Sequence, residues 1–148
     1  DYAHTPDAFE KILSLVKSIQ PTYKIITLFG CGGDRDKDKR SIMGSISEKF
    51  SDNIIITDDN PRYEDPNLII NQIVSGFSHK KHVICNDRKK AIQQAFSNLD
   101  TNQVLLILGK GVEDYQINQG QKTKHSDTEI IKELLWELKF KKKNYLQN

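Results

Sequence analysis

Apolar residues along the chain follow two patterns, short continuous runs and longer stretches with helical spacing. Four runs have the length and the β-compatible composition of strands, at residues 24–29, 54–57, 82–85 and 103–108, and those at 54–57 and 103–108 are expected to be buried. Stripes with a period of about 3.6 residues predict one helix before the first run and one after each run. Because parallel strands need crossover connections, this alternation predicts a three-layer α/β/α domain with a mostly parallel sheet.

Capping and turn residues mark the boundaries of these elements. Thr5 and Pro6 predict the start of the first helix, and Pro66 predicts the first turn of the helix after the second run. The pattern at residues 126–129 is a capping box and predicts the start of the last helix. Between the fourth run and that helix, residues 115–124 predict a hairpin.

Residues 54–66 form the most informative stretch, where three consecutive isoleucines stop at two acids and Asn60. Three isoleucines in a row leave no polar alternate position, so this strand is expected to be buried on both faces. Pro61 cannot donate to a sheet, so Arg62 is expected to leave the sheet edge in a defined direction, at a solvent-accessible rim. Taken alone, the stretch is equally typical of an ordinary strand-to-helix loop.

The loops that follow the four predicted strands carry most of the glycines and the densest charge. They begin at Gly30, Asp58, Asn86 and Gly109. In open α/β sheets such loops meet at the carboxyl edge, where ligands bind. An arginine that forks a carboxylate, paired with an acid that receives an ammonium, suits a zwitterionic ligand. The polar residues that predict a binding site at this edge are Arg35, Lys37, Lys39, Arg40, Asp59, Asn60, Arg62, Asp87, Arg88, Lys110, Glu113 and Asp114.

Size and composition limit the classes of protein. A chain of 148 residues with 36% hydrophobic and 28% charged residues is typical of one soluble domain, and no apolar run reaches membrane length. Cys31 and Cys85 are too few for a disulfide framework and favour a cytoplasmic location. A net charge of +2 does not favour a nucleic-acid partner, and the basic residues 139–143 are interpreted as a solvated tail, with RNA binding as the alternative. The first residues lack an initiator methionine and a signal core, which favours a fragment or a processed chain.

Several motifs of chemical importance fail in this sequence. A dinucleotide fingerprint starting at Gly30 would need a third glycine where Arg35 stands, and the sequence has no G-x-x-x-x-G-K-[ST] phosphate loop. His79 and His82 have metal-like spacing, but the lysines between them favour a surface turn, so no metal site is predicted. No serine or cysteine stands beside a plausible base, so no catalytic residue is predicted in this chain.

Four ordered motifs resemble the C-terminal domain of the Mur ligases, in the branch that adds meso-diaminopimelate. They are DYAHTP at residues 1–6, FGCGGDRDK at 29–37, TDDNPR at 57–62 and GKGVEDYQ at 109–116. The resemblance assigns residues 1–138 to an amino-acid-binding domain and leaves 139–148 as a basic extension. It implies a Rossmann-like fold and an ATP-dependent amide-bond ligase of peptidoglycan synthesis. The N-terminal UDP-sugar domain and the central ATP-binding domain of such a ligase are absent from this chain.

The resemblance also implies the chemistry. In the family, ATP with Mg²⁺ phosphorylates the D-glutamate γ-carboxylate of a UDP-N-acetylmuramoyl dipeptide, and the amino group of meso-diaminopimelate attacks the acyl phosphate. ATP, Mg²⁺ and the UDP-linked substrate are implied to bind mainly to the absent domains, so the isolated chain is expected to be inactive. Arg62 is implied to grip the distal carboxylate of diaminopimelate, Asp1 and His4 are implied to face the nucleotide, and the amino-acid pocket is completed by Arg35, Asp59, Asn60, Gly109 and Glu113.

One position departs from the family pattern. Val112 stands where the family usually has a histidine, while Glu113 is intact, so the departure concerns the geometry of this loop more than the ligand class. Arg62 would repel the distal ammonium of lysine and therefore argues for a distal carboxylate. The alternatives are a related ligase that adds lysine or another amino acid, including a folate polyglutamate ligase, and a stand-alone ligand-binding module without catalytic role.

Overall fold

The computed structural model describes residues 1–79 and 82–145, with side chains as far as residue 140. Within these residues the helices are α1 (Pro6–Ile19), α2 (Asp38–Phe50), α3 (Pro66–Val74), α4 (Arg88–Ser97) and α5 (Asp127–Tyr145). The strands are β1 (Lys24–Phe29), β2 (Asn53–Ile56), β3 (His82–Ile84), β4 (Gln103–Ile107), β5 (Tyr115–Asn118) and β6 (Gln121–Lys124). Every predicted element is present.

The first four strands form one parallel sheet in the order β3-β2-β1-β4. Strand β1 is central, with Thr27 opposite Ile54 of β2 and opposite Leu106 of β4. Strands β5 and β6 form a separate antiparallel hairpin, inserted between β4 and α5. The α/β prediction with a parallel sheet and a hairpin is therefore confirmed.

Helices cover both faces of the sheet. Helices α1, α2 and α3 enclose the larger core, whose buried side chains include Phe9, Leu13, Ile25, Phe29, Met43, Ile54, Ile56, Ile70 and Ile73. Helices α4 and α5 cover the other face, where Ala91, Ile92 and Ala95 of α4 and Ile130 of α5 form one buried cluster with Leu28 of β1. This is the three-layer arrangement that the sequence predicts.

Two predictions of strand burial are wrong in part. Ile54 and Ile56 of β2 are buried, but Ile55 is half-buried because it points to the smaller core under α4 and α5. Strand β4 is half-buried along its length, since it lies at the edge of the sheet. The strand with three consecutive isoleucines is therefore covered better on the face of Ile54 and Ile56 than on the face of Ile55.

Capping side chains mark the starts of two helices as predicted, whereas the bounds of α2 and α5 differ from the prediction. Thr5 caps α1 and Asp65 caps α3, as their hydrogen bonds to Ala8 N and Asn67 N show. Helix α2 already begins at Asp38, so Arg40 belongs to a helix and not to the charged loop that the sequence predicts. Helix α5 continues to Tyr145, so most of the predicted basic tail is helical backbone.

Candidate functional site

The loops after β1, β2 and β4, together with the first residues of the chain, surround one cleft of about 470 Å³ at the carboxyl edge of the sheet. The loop after β3 does not line this cleft, so three of the four predicted loops contribute. The lining side chains are Tyr2, His4, Thr5, Pro6, Gly32, Arg35, Asp36, Lys39, Asp59, Asn60, Arg62, Gly109, Glu113 and Tyr115. All six residues predicted to bind an amino acid therefore lie together in this cleft.

Arg62 enters the cleft from a strained backbone position. Its φ is +54°, in the left-handed region that a side chain with a Cβ rarely adopts. Two hydrogen bonds to the hairpin hold this conformation, from Arg62 N to the Ile117 carbonyl at 3.0 Å and from Gln119 N to the Arg62 carbonyl at 2.6 Å. The guanidinium is anchored through Nη1, which donates to the Gly33 carbonyl at 2.7 Å. Arg62 is half-buried and lines the cleft, so it keeps part of the solvent accessibility that the sequence predicts.

The glycine loop after β1 packs directly on the loop that carries Arg62. Gly33 N donates to the Asn60 carbonyl at 2.8 Å. A Cβ at Gly33 would lie 1.9 Å from the carbonyl oxygen of Pro61, so a side chain there would force the two loops apart. The absence of a side chain at Gly33 therefore allows the glycine loop and the loop that carries Arg62 to pack closely.

A cluster of polar side chains surrounds Asn60 and Glu113, which both line the cleft. The Asn60 amide Nδ2 donates to Glu113 Oε2 at 3.1 Å. Lys110 is fully buried behind both residues and donates from Nζ to Asn60 Oδ1 at 3.0 Å. Its Nζ also lies 3.3 Å from Asp59 Oδ1 and 3.4 Å from Glu113 Oε2. The loops after β2 and β4 are joined by this cluster.

Charge is divided within the cleft. Arg35, Lys39 and Arg62 contribute positive groups, and Asp36, Asp59 and Glu113 contribute negative groups. The guanidinium of Arg35 is exposed and makes a long contact of 3.5 Å from Nη1 to the Asp34 carbonyl. Such a site can bind a ligand that carries both a carboxylate and an ammonium.

The N-terminal segment lies against the cleft. The Asp1 carbonyl accepts a hydrogen bond from Gly109 N at 2.9 Å, and the Asp1 carboxylate accepts one from Ala3 N at 2.8 Å. His4 lines the cleft, with Nδ1 2.8 Å from the Tyr2 carbonyl. Of the two residues predicted to face a nucleotide, His4 therefore borders the cleft directly and Asp1 supports its rim.

Two charged residues that the sequence placed at the binding edge are buried and serve the fold. Arg40 is fully buried and donates to Glu64 at 2.9 and 3.0 Å and to the Gly32 carbonyl at 2.9 Å. These hydrogen bonds from Arg40 hold the pKa of Glu64 far below its usual value, at about 2. The arrangement ties α2 to the loops that form the cleft.

Arg88 is the second buried guanidinium. It donates from Nε and Nη2 to Asp127 at 2.9 and 2.7 Å, and from Nη2 to the Leu108 carbonyl at 3.1 Å. Burial favours a neutral Asp127, but hydrogen bonds from His125 and Arg88 outweigh it and hold the pKa of Asp127 well below its usual range. The sequence carries one signal that Arg88 has a buried partner. Arg88 lies in the first turn of α4, where the helix dipole disfavours a cation unless a partner compensates.

Asp58 has a raised pKa and, unlike Asp59 and Asn60, lies outside the cleft. The pKa of Asp58 is raised to about 6, because burial and, to a lesser extent, the charge of Asp87 raise it more than a hydrogen bond from Asn86 at 3.2 Å lowers it. Asp58 does not line the cleft, since it faces the loop after β3. The first acid of the motif at residues 57–62 therefore belongs to a different environment from Asp59 and Asn60.

The other features considered in the sequence are metal ligands, the two cysteines and membrane helices. Within residues 1–79 and 82–145, no group of three or more His, Cys, Asp and Glu side chains has the geometry of a metal site. His82 packs against the ring of Phe77, and the two lysines between His79 and His82 fall outside the described residues. Cys31 and Cys85 are both free thiols. In the part of the chain that is described, no helix has the length and apolarity needed to cross a membrane.

Comparison with known proteins places this chain in a family. Residues 1–111 match the family described as Mur ligase, glutamate ligase domain. The UDP-N-acetylmuramoyl-L-alanyl-D-glutamate–2,6-diaminopimelate ligase of Rickettsia typhi is 47% identical over 139 residues, which is 93% of this chain and 28% of that protein. The ligase of the same name from Aquifex aeolicus is 48% identical over 136 residues, 91% of this chain and 28% of that protein.

A solved structure supports the same assignment. The structure of a UDP-N-acetylmuramoyl-L-alanyl-D-glutamate–2,6-diaminopimelate ligase superposes with a TM-score of 0.83 and 34% identity, over 90% of this chain and 28% of that one. The chain therefore spans somewhat more than a quarter of the length of the relatives it matches. The sequence match and the superposition agree. This chain belongs to the Mur ligase, glutamate ligase domain family.

Proposed function

We propose that this chain is the amino-acid-binding C-terminal domain of an ATP-dependent ligase. The complete ligase adds meso-diaminopimelate to UDP-N-acetylmuramoyl-L-alanyl-D-glutamate in peptidoglycan synthesis. The observation that carries the proposal is the half-buried guanidinium of Arg62, which lines the cleft and is anchored through Nη1 on the Gly33 carbonyl. A guanidinium held at one nitrogen directs its other N–H groups, and a fixed fork suits a carboxylate.

The distribution of charge supports a zwitterion with two ionic ends. meso-Diaminopimelate carries an amino group and a carboxylate at each end. Arg62, with Arg35 on the same side, receives the distal carboxylate, and Glu113 receives the distal ammonium. Asp59, Asn60 and Gly109 complete the pocket. Lysine carries a distal ammonium without the carboxylate, so it would leave the half-buried guanidinium of Arg62 without a carboxylate partner.

The residues of this chain do not by themselves fit ATP and its metal ion. The sequence has no phosphate loop, and the described residues hold no cluster of three metal-ligating side chains. We therefore assign ATP, Mg²⁺ and the UDP-linked dipeptide to the other domains of the ligase, with Asp1 and His4 facing the nucleotide from the rim. The task of this chain is to bind diaminopimelate, to orient its free amino group and to exclude water from it.

We also place the protein in the cytoplasm. The proposed reaction uses ATP and a UDP-linked precursor, which are cytoplasmic compounds. The two cysteines, Cys31 and Cys85, are free thiols, and free thiols are typical of a reducing compartment. Nucleic acid and membrane are not part of the proposal.

A titration of the 148-residue chain tests the proposal directly. ¹⁵N-labelled protein is titrated with meso-diaminopimelate, and L-lysine serves as the matched control because it differs by one carboxylate. We expect saturable shifts of the amides at residues 33–35, 60, 62 and 109–113, and an affinity for lysine about tenfold or more weaker. Equal affinity for the two amino acids, or shifts confined to another surface, would contradict the proposal.

A further inference from the structure

We propose that Lys110 is a positioning residue, which fixes the side chains of Asn60 and Glu113 in the orientation that recognises the amino acid. The proposal rests on the function proposed above and names a residue that does not itself touch the ligand. Lys110 is fully buried and does not line the cleft, whereas Asn60 and Glu113 do.

The contacts of Lys110 determine the orientation of the Asn60 amide. Lys110 Nζ donates to Asn60 Oδ1 at 3.0 Å, and Ile117 N donates to the same oxygen at 2.9 Å. Because both donors require an acceptor, the oxygen of the amide must face them, and Nδ2 must face the other way. Nδ2 then donates to Glu113 Oε2 at 3.1 Å. Lys110 and Ile117 N together therefore direct the Asn60 Nδ2 towards Glu113, and of these two donors Lys110 is the side chain.

The position of Glu113 depends on the same ammonium. Lys110 Nζ lies 3.4 Å from Glu113 Oε2, so this carboxylate oxygen is held by Lys110 and Asn60 together. The ammonium is also anchored by the Tyr115 carbonyl at 2.8 Å and by Asp59 at 3.3 Å. A buried ammonium is costly unless it is paired. Here its partners come from the loop after β2, the loop after β4 and strand β5.

The flanking glycines explain why this lysine points inward. Gly109 and Gly111 have φ values of +112° and +53°, which residues with a Cβ rarely adopt. A Cβ at Gly111 would also lie 2.8 Å from the Cβ of Tyr2. The Gly-Lys-Gly sequence therefore forms a turn that places the Lys110 ammonium beneath the cleft, behind the residues that line it.

Substitution of Lys110 by methionine tests the inference, because methionine has a similar length and no charge. The parent, Lys110→Met and Lys122→Met are each titrated with meso-diaminopimelate by ¹⁵N NMR. Lys122 is a matched control, since its Nζ lies 3.8 Å from the Tyr115 ring on the same hairpin without a contact to Asn60. We expect Lys110→Met to weaken binding about tenfold or more, and Lys122→Met to leave it within about twofold.

The side-chain amide of Asn60 gives a second readout. In the parent we expect a single, protected pair of Nδ2 resonances, and in Lys110→Met a pair that is shifted and exchanges faster while the backbone spectrum stays dispersed. Should Lys110→Met fail to give a folded spectrum, Lys110→Gln, which retains one donor, replaces it. Unchanged affinity and unchanged Asn60 resonances in a folded variant would overturn the inference. Failure of the parent to bind meso-diaminopimelate would instead reject the proposed function.

Discussion

Nη1 of Arg62 donates a hydrogen bond of 2.7 Å to the carbonyl oxygen of Gly33, although the two residues belong to loops that follow different strands. The contact depends on Gly33, since a Cβ there would collide with the Pro61 carbonyl. It depends also on the left-handed backbone of Arg62, which the hairpin holds from the other side. The direction of one guanidinium is therefore set by three separate loops.

We expect Arg62 to determine the preference for a distal carboxylate. Lysine keeps the charge but loses the fork, so Arg62→Lys should weaken diaminopimelate binding and Arg62→Ala should weaken it further. The loss of a charged hydrogen bond corresponds to about 1.5–3 kcal/mol, or roughly tenfold to hundredfold in affinity. The measurement is the Michaelis constant for meso-diaminopimelate in the complete ligase that carries each variant, with the constant for ATP as control.

The result that would contradict this prediction is specific. If Arg62→Ala leaves the diaminopimelate constant within twofold of the parent, Arg62 is not the ligand of the carboxylate. If the constants for ATP and diaminopimelate rise together, the change acts through the fold or the closure of the domains. Only a selective rise in the diaminopimelate constant supports the role given to Arg62.

The buried pair of Arg88 and Asp127 should contribute strongly to stability. Removing one partner leaves an uncompensated buried charge, so Arg88→Ala should lower the free energy of unfolding by about 3–5 kcal/mol. The matched control is Lys11→Ala, because the pair of Lys11 with Asp7 is exposed by about three quarters on each side chain. That change should cost no more than about 1 kcal/mol. Urea denaturation of the three proteins measures both values, and equal losses would refute the structural role of Arg88.

Hydrophobic patterning was sufficient to predict the layers of this fold. The four apolar runs became the parallel sheet, and the helical stripes became the five helices, because burial periodicity is a local property of the sequence. Three of the four charged loops at the carboxyl edge, those after β1, β2 and β4, line one cleft. The resemblance to a known family, and not the pattern, selected which residues of that edge were named as binding residues.

Burial of charge could not be predicted from the pattern. Arg40 and Arg88 stand among other charges at the sheet edge, where exposure is the ordinary expectation. Their partners lie 24 residues away at Glu64 and 39 residues away at Asp127, so no local spacing reveals the pairs. Lys110 likewise bonds to Asn60, which is 50 residues distant. Such contacts depend on how the loops fold over one another.

The two cysteines should differ in reactivity. Cys31 is 4% exposed and its Sγ lies 3.9 Å from the Met43 sulfur, and burial raises its pKa to about 12. Cys85 is half-buried. Because the thiolate is the reactive form, a disulfide exchange reagent should titrate one thiol in the native protein and two after denaturation. Cys85→Ser should abolish the native reaction, and a rapid native reaction in that variant would show that Cys31 is accessible.

The acid stability of the protein should depend on Glu64. Its carboxylate joins α2 to the glycine loop, since it accepts hydrogen bonds from Arg40 at 2.9 Å and from Asp34 N at 2.6 Å. These interactions hold the folded pKa at about 2, from a model-peptide value of 4.5. The folded state thus favours the ionised form, so this contribution is fully present above pH 5 and is lost as the pH falls from the unfolded pKa towards 2.

Glu64→Gln isolates that contribution. The substitution keeps the shape and one acceptor but removes the charge, so the variant should be less stable than the parent at pH 7. The difference in free energy of unfolding should shrink as the pH falls from 5 towards 2, because the parent carboxylate becomes neutral as well. Chemical denaturation across that range provides the measurement, with an Asp7→Asn variant as control for an exposed carboxylate of the pair with Lys11. A difference between parent and Glu64→Gln that does not change with pH would show that the charge of Glu64 is not what joins α2 to the cleft loops.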